Sequence, residues 1–350
     1  MVAPAQTSFN AGELSPLLKG RPTLDKYRNG CETLENFIPQ IQGPARKRPG
    51  TRFVAEVRDA AGAARLLPFE YSTTQAYVLE FGDLYVRFYL DGGVVESSPG
   101  THYVVVSPYT SAQVGSLEYA QSADVIYITH PDHPPYKLAR VSALSWTLTA
   151  VTFAWPPFND ENTGAITLTA SALTGAITLT ASASLFVAGD VGSYFKISEV
   201  SASKYNQWTT GVAYLVNDIV YYQGNIYQSG TAAAAGTRPP IHTTGAESDG
   251  AVTWTFLHDG AGYAQITGYT SATLVNATVI RRLPTTSATT RWSEGAWSAR
   301  RGYPHAVTFY EDRLWFAGSA SKPQTLWASC SGDYENHKYG TNDDDALNYT

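Results

Sequence analysis

The stretch that decides the fold is Gln75-Ala76-Tyr77-Val78-Leu79-Glu80-Phe81, then Gly82-Asp83, then Leu84-Tyr85-Val86-Arg87-Phe88-Tyr89-Leu90, closed by Asp91-Gly92-Gly93. Two apolar runs of strand length, rich in aromatic and β-branched residues, are separated by turn residues. Asp91-Gly92-Gly93 is a hairpin signal, because a tight primed turn needs positive φ and glycine takes it without a steric penalty. Outward from it, Arg52-Val57, Arg65-Tyr71, Val94-Ser97, Tyr103-Ser107, Val125-His130 and Tyr136-Val141 read the same way. Consecutive hairpins of this kind make a meander. The expected class is all-β.

Composition agrees. Charged residues are 15% of the 350, well below the roughly 25% of an ordinary soluble domain, while aromatics reach 13%. A chain so aromatic and so poor in charge collapses rather than staying disordered. The initiator is the only Met, and Thr, Val, Tyr, Ser and Gly outnumber the helix formers. No run reaches the ~18 apolar residues of a membrane-spanning helix, and the first residues lack the layout of a signal peptide, so the expectation is a soluble chain made in the cytoplasm. Cys31 and Cys330 are nearly a chain length apart and read as free thiols.

The net charge of −6 is unevenly distributed. Residues 1–52 carry Lys19, Arg21, Lys26, Arg28, Arg46, Lys47, Arg48 and Arg52 against Glu13, Asp25, Glu32 and Glu35, a balance of +4, which leaves −10 for the remainder. Helix-like stretches are expected from Ser15-Pro16 and from Thr23 through Phe37, closed by Pro39. Then follows a basic, turn-rich strap, Gly43-Pro44-Ala45-Arg46-Lys47-Arg48-Pro49-Gly50, with two readings: a solvated loop or a docking site for an acidic partner. The chain divides into a basic docking segment (1–52), a first β-meander (53–160), a repeat region (161–203), an inserted module (204–260) and a return to the body (261–350).

Two internal similarities stand out. Asp124-Val125-Ile126-Tyr127-Ile128 with Pro134 and Tyr136-Lys137-Leu138 echoes Asp312-Arg313-Leu314-Trp315-Phe316 with Pro323 and Thr325-Leu326-Trp327. Strand pairs of this sort recur once per blade in β-propellers, which makes a propeller-like body the expected architecture. Residues 163–172 are repeated letter for letter as 174–183, and their alternating Ile/Leu and Thr predict two paired strands with one wet face.

In the inserted stretch, Trp208, Tyr214, Asp218, Val220, Tyr222, Gly224, Tyr227 and Trp254 fall in an order that resembles the small carbohydrate-binding β modules of chitinases and many phage tail proteins. That resemblance implies sugar stacking on Trp208, Tyr222, Tyr227 and Trp254, through the flat faces of rigid rings. Where such modules usually carry an exposed Trp pair, Gln228-Ser229-Gly230 stands. The alternative reading of the same aromatics is a mini-core.

Chemistry is sparsely signalled. No phosphate loop, nucleophile elbow, HExxH or CxxC pair is present, and no cofactor is implied. His130-Pro131-Asp132-His133 offers two imidazoles and a carboxylate, but a rigid turn explains it more simply, and Asp343-Asp344-Asp345 reads as an exposed acidic turn. No metal site is expected, and nothing nominates a catalytic carboxylate pair.

Several separated motifs carry a broader resemblance: Ser8-Phe9-Asn10-Ala11-Gly12-Glu13-Leu14-Ser15-Pro16, Gly20-Arg21-Pro22-Thr23-Leu24-Asp25-Lys26-Tyr27, the strap through Thr51-Arg52-Phe53, Ala123 to Asp132, and Pro304 to Ser319 with Pro323 to Asp333. Together they resemble the tail nozzle proteins of short-tailed bacteriophages, also called tail tubular protein B. The resemblance implies a non-enzymatic virion protein with a β-propeller-like body. It would form a ring, usually a homohexamer, beneath the portal and head-to-tail adaptor, continuing the DNA ejection channel and offering tail fibres or spikes an attachment site. Arg46, Lys47, Arg48 and Arg52 are then the expected assembly contacts. Genomic DNA would pass without specific binding, since lysine and arginine contacts to phosphate release counterions and would hold the duplex. The family commonly continues into further strands past the position matching Asp343 to Tyr349, which implies a longer body. A carbohydrate-binding tail adhesin is the alternative function.

Overall fold

In the computed structural model, which describes residues 6–72, 75–199 and 204–350, the deciding stretch forms adjacent antiparallel strands. Ala76–Gly82 pairs with Tyr85–Leu90, flanked by Arg65–Glu70 on one side and Val104–Val106 on the other. Asp91 and Gly92 take φ of 52° and 75°, the primed turn that brings Leu90 opposite Gly93. The same device recurs at Gln223-Gly224, between Tyr222 and Asn225, and at Glu311-Asp312, between Tyr310 and Arg313.

The class is all-β: 45% of residues are in strands, and the 4% that are helical lie in short 3-10 turns. The chain separates into two compact units, residues 1–55 and 56–350.

The first unit holds only short elements. Gly12–Glu13 pairs in parallel with Gly30–Cys31, and Phe37–Pro39 pairs antiparallel with Ala45–Lys47. The expected helices are single 3-10 turns, Pro16–Leu18 and Asp25–Asn29. Pro22 and Gly20, the latter at φ 76°, interrupt them, and so short a segment cannot offset the cost of helix nucleation. Asn36, at φ 62°, turns the chain into a strand where the spacing of Leu34 and Phe37 predicts a helix. Among the described residues of this unit only Gly12 and Gly43 are buried.

In the second unit, the sheet built on Ala76–Gly82 shares a core with a four-stranded meander: Glu118–Ser122, Val125–His130, His133–Ser142 and Ser145–Ala150, in sequence order. Trp146 joins the two, with Phe69 and Phe88 ring centres at 4.7 Å and Tyr77 at 5.3 Å. Each such aromatic pair is worth about 0.5–1.5 kcal/mol beyond area burial. A second four-stranded meander, Ala306–Tyr310, Arg313–Ala317, Leu326–Ala328 and Leu347–Tyr349, has the same order. The internal echo maps onto corresponding places, the second and third strands of each meander. Tyr127, Phe153, Trp297, Phe316 and Trp327 form the core these two meanders share.

The exact repeat forms the expected pair, Leu168 opposite Ala181 and Ala170 opposite Leu179, with the Leu and Ala side chains buried. It does not stand apart as a region. Its second copy pairs with Leu274–Arg281 in a six-stranded sheet that also includes Ala261–Ser271, Tyr194–Ser198 and Trp292–Glu294. Tyr194–Ser198 and Ala261–Ser271 are antiparallel neighbours, and the inserted module is the connection between them. The module's five-stranded sheet runs in the order Asn206–Gln207, Ile219–Tyr222, Asn225–Ser229, Thr253–His258, Ala246–Ser248.

A propeller is not formed. The larger sheets differ in size and include a curled half-barrel, whereas a propeller requires like blades in radial repetition. The echo that suggested blades occurs twice, and the chain between its copies builds a sheet of another kind. Arg52-Val57 is likewise no strand; its alternation finds no pairing partner among the described residues.

Candidate functional site

The module's aromatics answer the choice left open by the sequence. Trp254 and Tyr227 are fully buried and Trp208 is 8% exposed; with Tyr214, Val220 and Val252 they form the module's own core. The Trp254 indole donates to Asp249 Oδ2 (2.9 Å), and the Tyr227 hydroxyl donates to the His242 carbonyl (2.9 Å). Burial works to raise the Asp249 carboxyl pKa, but hydrogen bonds from Trp254 and from the Val252 and Ala251 amides outweigh it and hold the group below its ordinary value. Tyr222 is half-buried, edge-on to Trp208 with ring centres at 5.7 Å. Stacking on a sugar requires a free ring face, and Trp208, Tyr227 and Trp254 have none to offer. The sugar-stacking expectation for this set is therefore corrected to a mini-core.

The basic strap is laid out differently. Arg46 and Lys47 are exposed on the strand Ala45–Lys47, and Arg52 is exposed beyond it. None of the three makes an ion pair or side-chain hydrogen bond among the described residues. Arg48 is tethered, donating from Nε to Asn36 Oδ1 (2.6 Å) and from Nη1 to the Pro49 carbonyl (3.3 Å). The same unit exposes Leu17 (90%), Ile41 (91%) and Phe53 (75%), with Phe37 and Ile38 half exposed on the paired strand. Phe9, Leu34, Phe37 and Pro44 help to line a hollow of about 740 Å³ within it. Free cations beside uncovered apolar side chains are chemistry suited to docking a protein surface.

Neither metal candidate gathers ligands. His130 is buried, and its Nδ1 accepts from the Asp132 amide (3.1 Å), while His133 Nε2 meets Gln113 Oε1 (3.1 Å). Both imidazoles pack near Tyr109, and burial lowers both pKa values. Asp343-Asp344-Asp345 wraps a buried arginine. Arg313 donates to the carbonyls of all three and to that of Ser329, and the Asp345 carboxylate accepts from the Asn342 amide (2.8 Å), so the turn is closed by its own residues around the guanidinium. Among the described residues no cluster of three or more His, Cys, Asp or Glu could hold a metal ion, and no helix is long and apolar enough to cross a membrane. Cys31 and Cys330 are free.

Sequence reasoning missed the buried ion pairs. Glu80 and Arg87, cross-strand partners, are almost completely buried, joined at 2.6 Å and also hydrogen-bonded to Tyr89; Tyr85 adds a bond to Glu80 at 2.5 Å. Burial and the adjacent carboxylate push both tyrosine pKa values up to about 12. Asp190 and Glu294 bind Arg300, and Glu294 also binds Arg301 at 2.5 Å. These satisfied pairs are structural.

Also missed was a cleft of about 560 Å³ between the module's turn at Gln223-Gly224-Asn225 and the body at Trp155, Phe158, Lys196 and Lys338. An alternation count along Phe195-Lys196-Ile197 could have flagged the lysine as the one charged position between two core residues.

No protein-family model matches the chain, and no curated protein matches its sequence.

Proposed function

We propose that the chain is a structural component of a bacteriophage tail, a nozzle or tail-tube subunit that assembles as a ring, a homohexamer on the family pattern, below the portal and adaptor. The observation that carries this reading is the N-terminal unit, which combines exposed Leu17, Phe37, Ile38, Ile41 and Phe53 with the unpaired Arg46, Lys47 and Arg52 and has no apolar residue buried among those described. Such a unit gains its apolar burial when a neighbour covers it, and a neighbouring subunit or adaptor with an acidic face fits its charge. Most of the motifs that resemble nozzle proteins lie there and on the two four-stranded meanders. The −10 balance outside residues 1–52 suits a lumen that lets DNA slide, and fibres or spikes would attach outside. No catalytic role is part of the reading.

Electron microscopy of purified particles tests it. The expected result is a closed ring with a central channel on the portal-distal side of the connector, lost when Arg46, Lys47 and Arg52 are all changed to Glu. A chain that remains monomeric in assembled particles ends the proposal. Glycan-dependent adsorption with no ring would favour the adhesin instead.

A further inference from the structure

The strand Tyr194–Ser198 alternates, with Phe195 and Ile197 buried in the core of the six-stranded sheet. Period two sends Lys196 to the opposite face, where Trp155, Phe158 and Tyr263 form a small separate core. The Lys196 ammonium lies 5.2 Å from the centre of the Phe158 ring. Among the described residues it has no ion pair and no hydrogen bond. Glu161 is close enough to influence it but is paired with Arg291 at 3.3 Å. Burial lowers the amine's pKa, an effect Glu161 opposes and Arg291 reinforces.

The contrast with Asp259 in the same cleft is informative. That carboxylate is bound by Arg281 (3.2 Å) and by Lys338, so its charge is answered from within the chain. Lys196 is the cation left over. The cleft around it is lined by amides at Asn159 and Asn225, by the exposed carboxylate of Asp160 and by Glu161, which Arg291 already pairs. Its volume falls within the roughly 300–1,000 Å³ range of small-molecule sites. Hydrogen-bonding amides, a carboxylate acceptor for hydroxyls and one unanswered ammonium together match a small polyhydroxylated acid.

We propose that this cleft, created where the inserted module meets the body, binds a sugar acid whose carboxylate pairs with the Lys196 ammonium and whose hydroxyls meet Asn159, Asn225 and Asp160. The same chemistry is presented by a free hexuronic acid and by a hexuronate residue of a surface polysaccharide. The site is independent of the proposed assembly role.

Calorimetric titration of the full chain with glucuronate, glucose and a hexuronate-containing tetrasaccharide tests it. Glucuronate is expected to bind about tenfold or more tighter than glucose, the equivalent of one net charged contact. Tighter binding of the tetrasaccharide than of glucuronate assigns the site to polysaccharide; glucuronate binding without tetrasaccharide binding assigns it to the free acid. Lys196→Gln should remove the preference for glucuronate and Lys196→Arg should keep it, whereas Lys26→Gln, in the other unit, should change nothing. Should Lys196→Gln fail to fold, the unaltered chain is titrated with glucuronamide, the neutral amide of the same acid, which is expected to bind no tighter than glucose; binding equal to that of glucuronate overturns the proposal. Equal affinity for glucose and glucuronate, no binding of either, or unchanged glucuronate affinity in folded Lys196→Gln overturns the proposal.

Discussion

Residues 6–55 and residues 56–350 show two ways of holding a shape. The larger unit buries aromatic and aliphatic side chains in several cores, and it pairs buried charges such as Glu80 with Arg87 and Asp190 with Arg300. The smaller has two short strand pairs, two 3-10 turns and a set of turn hydrogen bonds, and it fully buries none of its large apolar side chains while exposing Leu17, Phe37, Ile38, Ile41 and Phe53. Since hydrophobic burial is the dominant favourable term in folding, a unit with so little of it draws on turn geometry. The difference separates a unit with its own apolar cores from one with none among its described residues.

The largest effects belong to the larger unit. Glu80→Ala leaves Arg87 charged and buried without its carboxylate and takes the acceptor from the Tyr85 and Tyr89 hydroxyls; about 3–5 kcal/mol of stability is expected to go, measured by urea denaturation. A loss under 1 kcal/mol would mean that the network is dispensable. Trp254→Ala empties the centre of the module's core and should cost about 3–5 kcal/mol, read as early loss of module signals in hydrogen exchange. Intact protection there would show that the module is held by its connections to the six-stranded sheet rather than by its own aromatics.

A moderate effect is expected from pH. Burial lowers the His337 pKa to about 3, among Phe153, Trp297 and Phe316, and burial with the nearby Arg282 lowers that of His258 to about 4. These imidazoles stay neutral when folded and take up protons near pH 6.5 once unfolded. The unfolded chain therefore binds more protons between about 6.5 and the folded values. Stability is complete above that window and falls as the pH drops through it, by up to about 1.4 kcal/mol per pH unit for each histidine. Denaturation midpoints at pH 7, 6 and 5 measure the slope, and His337→Phe should flatten it. Residues 1–55 contain no histidine, so the dependence belongs to the body alone.

The smallest effect on stability is expected where the assembly effect is greatest. Ile41→Ser and Leu17→Ser change side chains about nine-tenths exposed, so the free chain should keep its stability within about 0.5 kcal/mol while incorporation into particles falls. A large loss of stability in the free chain would erase the distinction between the two units.

Much of the fold could be read before the structure was seen. Asp91-Gly92 turns where the residues require it, the repeat pairs with itself, and the two echoing segments occupy corresponding strands. Local steric preference and period-two alternation decide these features, and both are written in neighbouring residues. The failures share a cause. The helices expected in the first unit rested on local spacing with no packed face to offset the cost of nucleation, and the propeller was extrapolated from two copies across a region that builds a six-stranded sheet. Trp208, Tyr227 and Trp254 were legible as aromatics of a module but not as buried ones, because a ring's exposure depends on what packs against both its faces.

By itself, then, the sequence determined the all-β class, the position of the turns, the polarity of the two ends and the presence of an inserted module, since each follows from residues close together in the chain. The tertiary structure alone decided the pairing of residues 176–181 with 274–281 across the module, the wrapping of Asp343-Asp344-Asp345 around Arg313, and the isolation of Lys196 in a cleft while Asp259 is neutralised. Strand pairing at a distance and the answering of one charge by another depend on separations in space, which chain order leaves open until the sheets are assembled.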